Sequence, residues 1–109
     1  MRQDGTIDII NLALDAALMR QTAIASNIAN VNTRGYQAIG VDFESQLQKS
    51  NETNLDSIKP AYEYSHESAS IDDQIALSVK NATQYRALIK GLNHKLAIMK
   101  LAVQGNNAS

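Results

Sequence analysis

The 109-residue chain has no cysteine, no tryptophan, one phenylalanine and one proline. Without cysteine there is no disulfide framework, no thiolate nucleophile and no thiolate-bound zinc. A chain free of thiols also suits passage through an oxidising space. The scarcity of aromatic residues argues against a β-sandwich or barrel. Neither sign of charge dominates: the net charge is −1 and the pI about 6.0, which excludes a global basic field for nucleic acid or an anionic membrane. No run approaches the ~20 apolar residues of a membrane span, so no direct membrane insertion is expected. Asp4, Asp8 and Asp15 interrupt any apolar core of a leader, so no cleaved signal is expected either. P-loop, GxGxxG, HExxH and GxSxG patterns are missing, and no catalytic, cofactor or metal site is expected.

What the chain has is alanine and periodicity. Of its 44% apolar residues, 15 are alanine, whereas Ile, Leu, Val and Phe together number 26. That mix suits helices that pack closely but bury little alone, so partners are expected to complete the core. In the first periodic segment, Ile7, Ile10, Leu14, Ala17, Ile24, Ile28 and Val31 recur at steps of 3 and 4, with Gln21 as one polar member. Thr6 is the expected cap and Asp8 a first-turn acid. In the second, Ile75, Ser78, Ala82, Tyr85, Ile89, Leu92, Leu96, Met99 and Val103 alternate 3 and 4 without a slip, a heptad seam. Ser70 with Asp73 reads as its capping box and Gly105 as its stop. Between the two segments, residues 44–70 are mostly Ser, Asn, Glu, Gln and Thr and read as a loop. At its start, 42–48 can form one or two helical turns with Phe43 and Leu47 inward.

The expected fold is therefore all-α. Two long amphipathic helices, 6–32 and 71–104, pair as a coiled-coil-like hairpin. A turn and a polar, partly disordered middle segment, 33–70, joins them in one domain, 1–109. The expected assembly interface is Ile10, Leu14, Ala17, Ile24 and Ile28 on the first helix. On the second it is Ile75, Ala82, Tyr85, Ile89, Leu92, Leu96, Met99 and Val103. His66 and His94 read as solvated side chains, and Asp72-Asp73 as a helix start rather than an acid–base pair.

The first helix ends in Ala25-Ser26-Asn27-Ile28-Ala29-Asn30-Val31-Asn32-Thr33-Arg34-Gly35-Tyr36. Small residues allow close approach of another backbone. Asn30 and Asn32 can bond to local backbone groups, and Gly35 supplies a positive-φ turn. This block, with Ser26, Asn27, Ile28, Ala29, Asn30, Thr33, Gly35 and Tyr36, resembles the N-terminal signature of the bacterial flagellar axial proteins, the rod and hook family. Asp42-Phe43 after the Gly-Tyr, the acidic start Asp72-Asp73 and the last helix resemble the proximal rod type. Arg34 stands where the family usually has proline.

The resemblance implies a structural subunit of the flagellar basal-body rod. It implies export by the flagellar type III apparatus and polymerisation through the terminal helices. It implies other rod subunits and the basal-body ring and export-gate junction as partners, in homo- and hetero-oligomers, and a place in the periplasm-spanning rod. The other reading open at this point is a cytoplasmic helical-hairpin adaptor or export chaperone, which would have no need of the Asn-rich turn.

Overall fold

The computed structural model describes residues 5–50, 55–66 and 70–108. Helix α1 is Thr6–Ala29, and Gly5 rather than Thr6 forms its start. Gly5 sits at φ 76, a left-handed value that glycine holds without strain. A Cβ there would also stand 3.0 Å from Leu55 Cδ1, so that side chain would have to shift slightly, but it is the positive φ that selects glycine. At the other end α1 stops before the expected residue 32. The Asn30 side chain donates to Ser26 O (2.9 Å) and competes with helix continuation. Thr33 O then accepts from Tyr36 N–H (3.1 Å), and Gly35 takes φ 79 to complete the turn.

Apart from the helical turns expected at 42–48, which are present, the middle segment corrects the expectation of a loop. It contains strand β1 (Ile39–Asp42), helix α2 (Glu44–Ser50), a single 3-10 turn (Leu55–Ser57) and strand β2 (Ala61–Tyr64). The strands pair antiparallel, from Ile39 opposite Tyr64 to Asp42 opposite Ala61. The fold is therefore mainly helical with a small sheet, not all-α. The physical reason is a few well-placed apolar groups. Phe43 and Ile58 are buried with Ala16 of α1, and Leu12, Ala13, Val41, Leu47 and Leu55 pack around them. The abundant polar residues lie on the outside of that cluster and say little about the backbone beneath them. An isolated hairpin is marginal in water, so this one depends on the helix it covers.

Helix α3 is Ile71–Ala108 and runs through Gly105 instead of ending there. The Asp73 N–H donates to Ser70 Oγ (3.2 Å), and Asp72 and Asp73 occupy the positive end of the helix dipole. α3 lies antiparallel to α1: Gln74 meets Asn27, Ser78 meets Gln21, and Asn81 meets Ala17. Alanines 16, 17 and 23 are buried along α1, so their small side chains set the close approach of its neighbours. At 1.5 Å per residue, 38 residues reach about 57 Å and 24 residues about 36 Å. Because α1 ends where α3 begins, at the Asn27–Gln74 end, α3 overhangs the start of α1 by about 21 Å. The molecule is accordingly long and thin, 67 × 26 × 14 Å. No helix among the described residues is long and apolar enough to cross a membrane.

The Phe43 cluster is the only large apolar anchor of the sheet among the described residues. Phe43→Ala should cost about 3–5 kcal/mol at that site. Hydrogen exchange should then show protection lost in β1 and β2 while the amides of α1 remain protected. Equal protection in the variant and the parent would mean that the sheet is held elsewhere.

Candidate assembly interface

The end of α1 is built around one amide. Asn27 is 2% exposed, and each of its four hydrogen-bonding positions is used. Its Oδ1 accepts from the Tyr36 hydroxyl (2.8 Å) and from the Ile39 N–H (2.9 Å). Its Nδ2 donates to Ile39 O (2.9 Å) and to Gln74 Oε1 (3.1 Å). One side chain thereby ties α1 to the turn, to the first residue of β1 and to the first turn of α3. Ser26 Oγ lies 3.1 Å from the Tyr36 hydroxyl, and Thr33 Oγ1 donates to Asn30 Oδ1 (3.1 Å). The motif residues Ser26, Asn27, Asn30, Thr33 and Tyr36 thus form one hydrogen-bonded turn. Ile28 is half-buried beside it, Ala29 is exposed, and Gly35 makes the reversal.

Asp42 closes the same segment at the start of α2. It accepts from Ser45 Oγ and from Gln46 Nε2 (3.1 Å to Oδ2). Those two donors, Ser45 first, and then the charge of Lys49, hold its carboxyl below the ordinary value of 3.8, against a smaller opposing effect of burial. Gln46 also reaches Lys59, donating to its carbonyl and accepting from its N–H, both at 2.8 Å. Arg20 of α1 forms an ion pair with Glu44.

A second polar lock joins α1 to α3. Asn81 is 5% exposed; its Nδ2 donates to Ala17 O (2.8 Å) and to Gln21 Oε1 (3.3 Å). Gln21 Nε2 donates to Ser78 Oγ (3.0 Å). Gln21 and Ser78 are the polar members of the two apolar stripes, and the structure pairs them with each other. The sequence marks Gln21 as a polar break in its stripe but not its pairing with Ser78. Gln74 and Asn81 lie one position away from the expected seam, outside that count.

On α3 the buried positions are Gln74 and Asn81, and Leu77, Ser78, Ala82, Tyr85, Leu88, Ile89, Leu92, Lys95 and Met99 are half-buried. Of the expected interface residues, Ala17 and Ile24 are buried, and Ile10, Leu14, Ile28, Ala82, Tyr85, Ile89, Leu92 and Met99 are half-buried. Ile75, Leu96 and Val103 lie exposed on the single chain, with Leu18, Ile71, Val79, Ile98 and Leu101. His66 and His94 are exposed. Among the described residues, Ile71, Ile75, Val79, Leu96, Ile98, Leu101 and Val103 of α3 stand uncovered, an apolar surface of the kind that marks an interaction site.

This geometry defines a class: a helical subunit whose N-terminal helix ends in an Asn-rich locked turn. Residues 12–37 match the model of the flagella basal body rod protein family. More particularly, the chain is similar to flagellar basal body rod protein FlgB. It is 25% identical to the Bacillus subtilis (strain 168) protein over 93% of this chain and 95% of that one. It is 46% identical to the Yersinia ruckeri protein over 42% of this chain and 34% of that one. With the Salmonella typhimurium protein the identity is 44% over 44% of this chain and 35% of that one. The alignments with these last two therefore span about a third of the relatives' length.

Two tests follow from the locks. Asn27→Leu strands the Ile39 N–H and C=O, at about 1–3 kcal/mol for each buried group left unpaired. Thermal melting should show a loss of several kcal/mol, with Asn27→Asp intermediate; a change below about 0.5 kcal/mol would refute the lock. For Asp42, the lowered carboxyl stabilises the fold above the ordinary value of 3.8, and that contribution is lost as pH falls through the still lower folded value. Ser45→Ala should move the Asp42 carboxyl titration, followed by NMR, upward toward 3.8. An unmoved titration would exclude Ser45 as the cause.

Proposed function

We propose that the chain is a structural subunit of the bacterial flagellar basal-body rod, of the proximal rod type, acting in motility. The observation that carries this reading is a coincidence of position. The stretch that matches the rod family, residues 12–37, holds the Asn27 and Asn30 network and both α1 members of the α1–α3 lock, Ala17 and Gln21. The similarity therefore falls on the part of the chain that orients its two long helices. On this reading the subunit leaves the cytoplasm through the flagellar type III apparatus. It then polymerises through coiled-coil packing of α1 and α3 with other rod subunits, near the ring and export-gate junction. The uncovered residues Ile75, Leu96 and Val103 belong to contacts made only in the assembled rod, and the chemistry required is packing rather than catalysis.

The experiment places a tagged chain in a strain lacking its own copy. Motility should be restored and the tag recovered in purified basal bodies. A tag confined to the cytoplasm beside intact, rotating flagella would exclude a rod role. The same strain tests the seam. Leu92→Asp puts a carboxylate on the half-buried face against α1, removing a core side chain worth about 2–5 kcal/mol. It should abolish rod assembly while export continues. His94→Asp, two residues away on the exposed side, should leave motility nearly intact.

A further inference from the structure

The sheet has two edges, and Asn27 occupies one of them. Ile39 sends its N–H and C=O to Asn27 instead of to β2. Ile39 and its register partner Tyr64 are therefore a non-hydrogen-bonded pair, while the next residue, Ser65, donates to Ala38 O (2.9 Å). Bonding direction alternates along a strand, so Val41 and Tyr62 are a pair of the same kind. Tyr62 and Tyr64 consequently turn two N–H and two C=O groups to the outer edge of β2. None of the four has a partner among the described residues. All of β2 is exposed, Tyr62 by 49% and Tyr64 by 67%.

Such an edge is a template for another strand. The same edge of a second copy, run antiparallel, matches it. Within Ala61–Tyr64, one twofold register uses all four groups: Tyr62 of each copy stands opposite Tyr64 of the other. That register also sets the tyrosines as cross-strand aromatic pairs on one face, and turns two marginal sheets into one of four strands. It places Glu63 on the twofold axis, directly opposite the same residue of the second copy. Residues so placed have Cβ atoms about 4.5–5.5 Å apart, and like charges there are destabilising. On its other side Glu63 faces Gly40, which offers no side chain, and the charged residue on that face of β1 is Asp42. Lys80 and His66 line the same groove as Glu63, but neither forms an ion pair with it among the described residues.

We propose that β2 is a pairing edge kept unpaired by Glu63. The two carboxylates that would meet on the axis stop two copies from closing into a four-stranded sheet. Pro60, just before the strand, keeps the edge short. The contact that Glu63 prevents is isologous and closed, a dimer that cannot grow. It lies away from the helix faces of the rod reading, acts on the free chain and does not rest on that reading.

Glu63 is exposed, so its replacement should leave helicity by circular dichroism unchanged. Glu63→Gln keeps the size and removes the charge. By sedimentation equilibrium the full-length variant should dimerise on the order of tenfold more tightly than the parent, which stays monomeric at the same concentration. Glu63→Lys alone should also stay monomeric, since like charges again meet on the axis. Mixed with the parent at low salt, it should form a one-to-one dimer that added salt weakens. In both dimers the Tyr62 and Tyr64 amides should gain protection from hydrogen exchange, which association through the helices would not give them. Tyr62→Pro added to Glu63→Gln removes an outward N–H without touching a bond to β1, and should return the chain to monomer.

A monomeric Glu63→Gln chain, a dimer whose Tyr62 and Tyr64 amides stay unprotected, a dimer that survives Tyr62→Pro, or a parent already paired through these amides would overturn the proposal. Recovery of the tagged chain in basal bodies depends on none of these results. The guarded edge and the rod reading can therefore fail separately.

Discussion

The fold depends on amide side chains that pair with the backbone as a neighbouring strand would. Asn27 accepts from the N–H and donates to the C=O of the same residue, Ile39. Gln46 does the same with Lys59. Each amide supplies the donor and acceptor that a sheet edge otherwise lacks. In this way a two-stranded sheet, marginal by itself, is held at the start of β1 and just before β2. Asn27 has a further role, because its remaining positions fix Tyr36 and Gln74. The turn, the sheet and the start of α3 therefore share one buried contact, and a network satisfied at every position is rigid for that reason.

The α1–α3 lock has a different character. Asn81 is buried with its Nδ2 paired, while its Oδ1 has no partner. A half-satisfied amide weakens a seam relative to an apolar residue of similar size. What it supplies is register. Only one sliding position of the helices places Asn81 on Ala17 and Gln21 while Gln21 reaches Ser78, as a lone polar residue does in a coiled-coil seam. Mostly alanine contacts would otherwise discriminate poorly between alignments, since one alanine is much like the next.

The two long helices were legible in the sequence because their apolar spacing has helical period over many turns, and their limits were misjudged by only a few residues. The pairing of the two strands was not legible. They are four residues each, and composition across the middle is dominated by side chains that face water. Phe43 and Leu47 were the readable part, since a phenylalanine in an otherwise polar stretch has few places to go. The motif around Asn27 was readable as a unit but not as a mechanism. Sequence places Asn30 beside its local partners, whereas Asn27 acts across 12 and 47 residues, distances that local rules do not reach. The two most buried positions of α3, Gln74 and Asn81, lie beside the heptad seam, whose members Ser78, Ala82, Tyr85, Ile89, Leu92 and Met99 are half-buried; a hydrophobic count passes over both.

The shortest dimension of the molecule is 14 Å, little more than the diameter of one helix with its side chains. A slab that thin has almost no interior, and most side chains stand within one layer of the outside. On the rod reading proposed above, slabs that stack would bring neighbours to both broad faces of each helix. The interior of the resulting shaft is then made from what were surfaces. Its resistance to twisting would reside in the joints between molecules, spread along their full length, rather than in any single folded body.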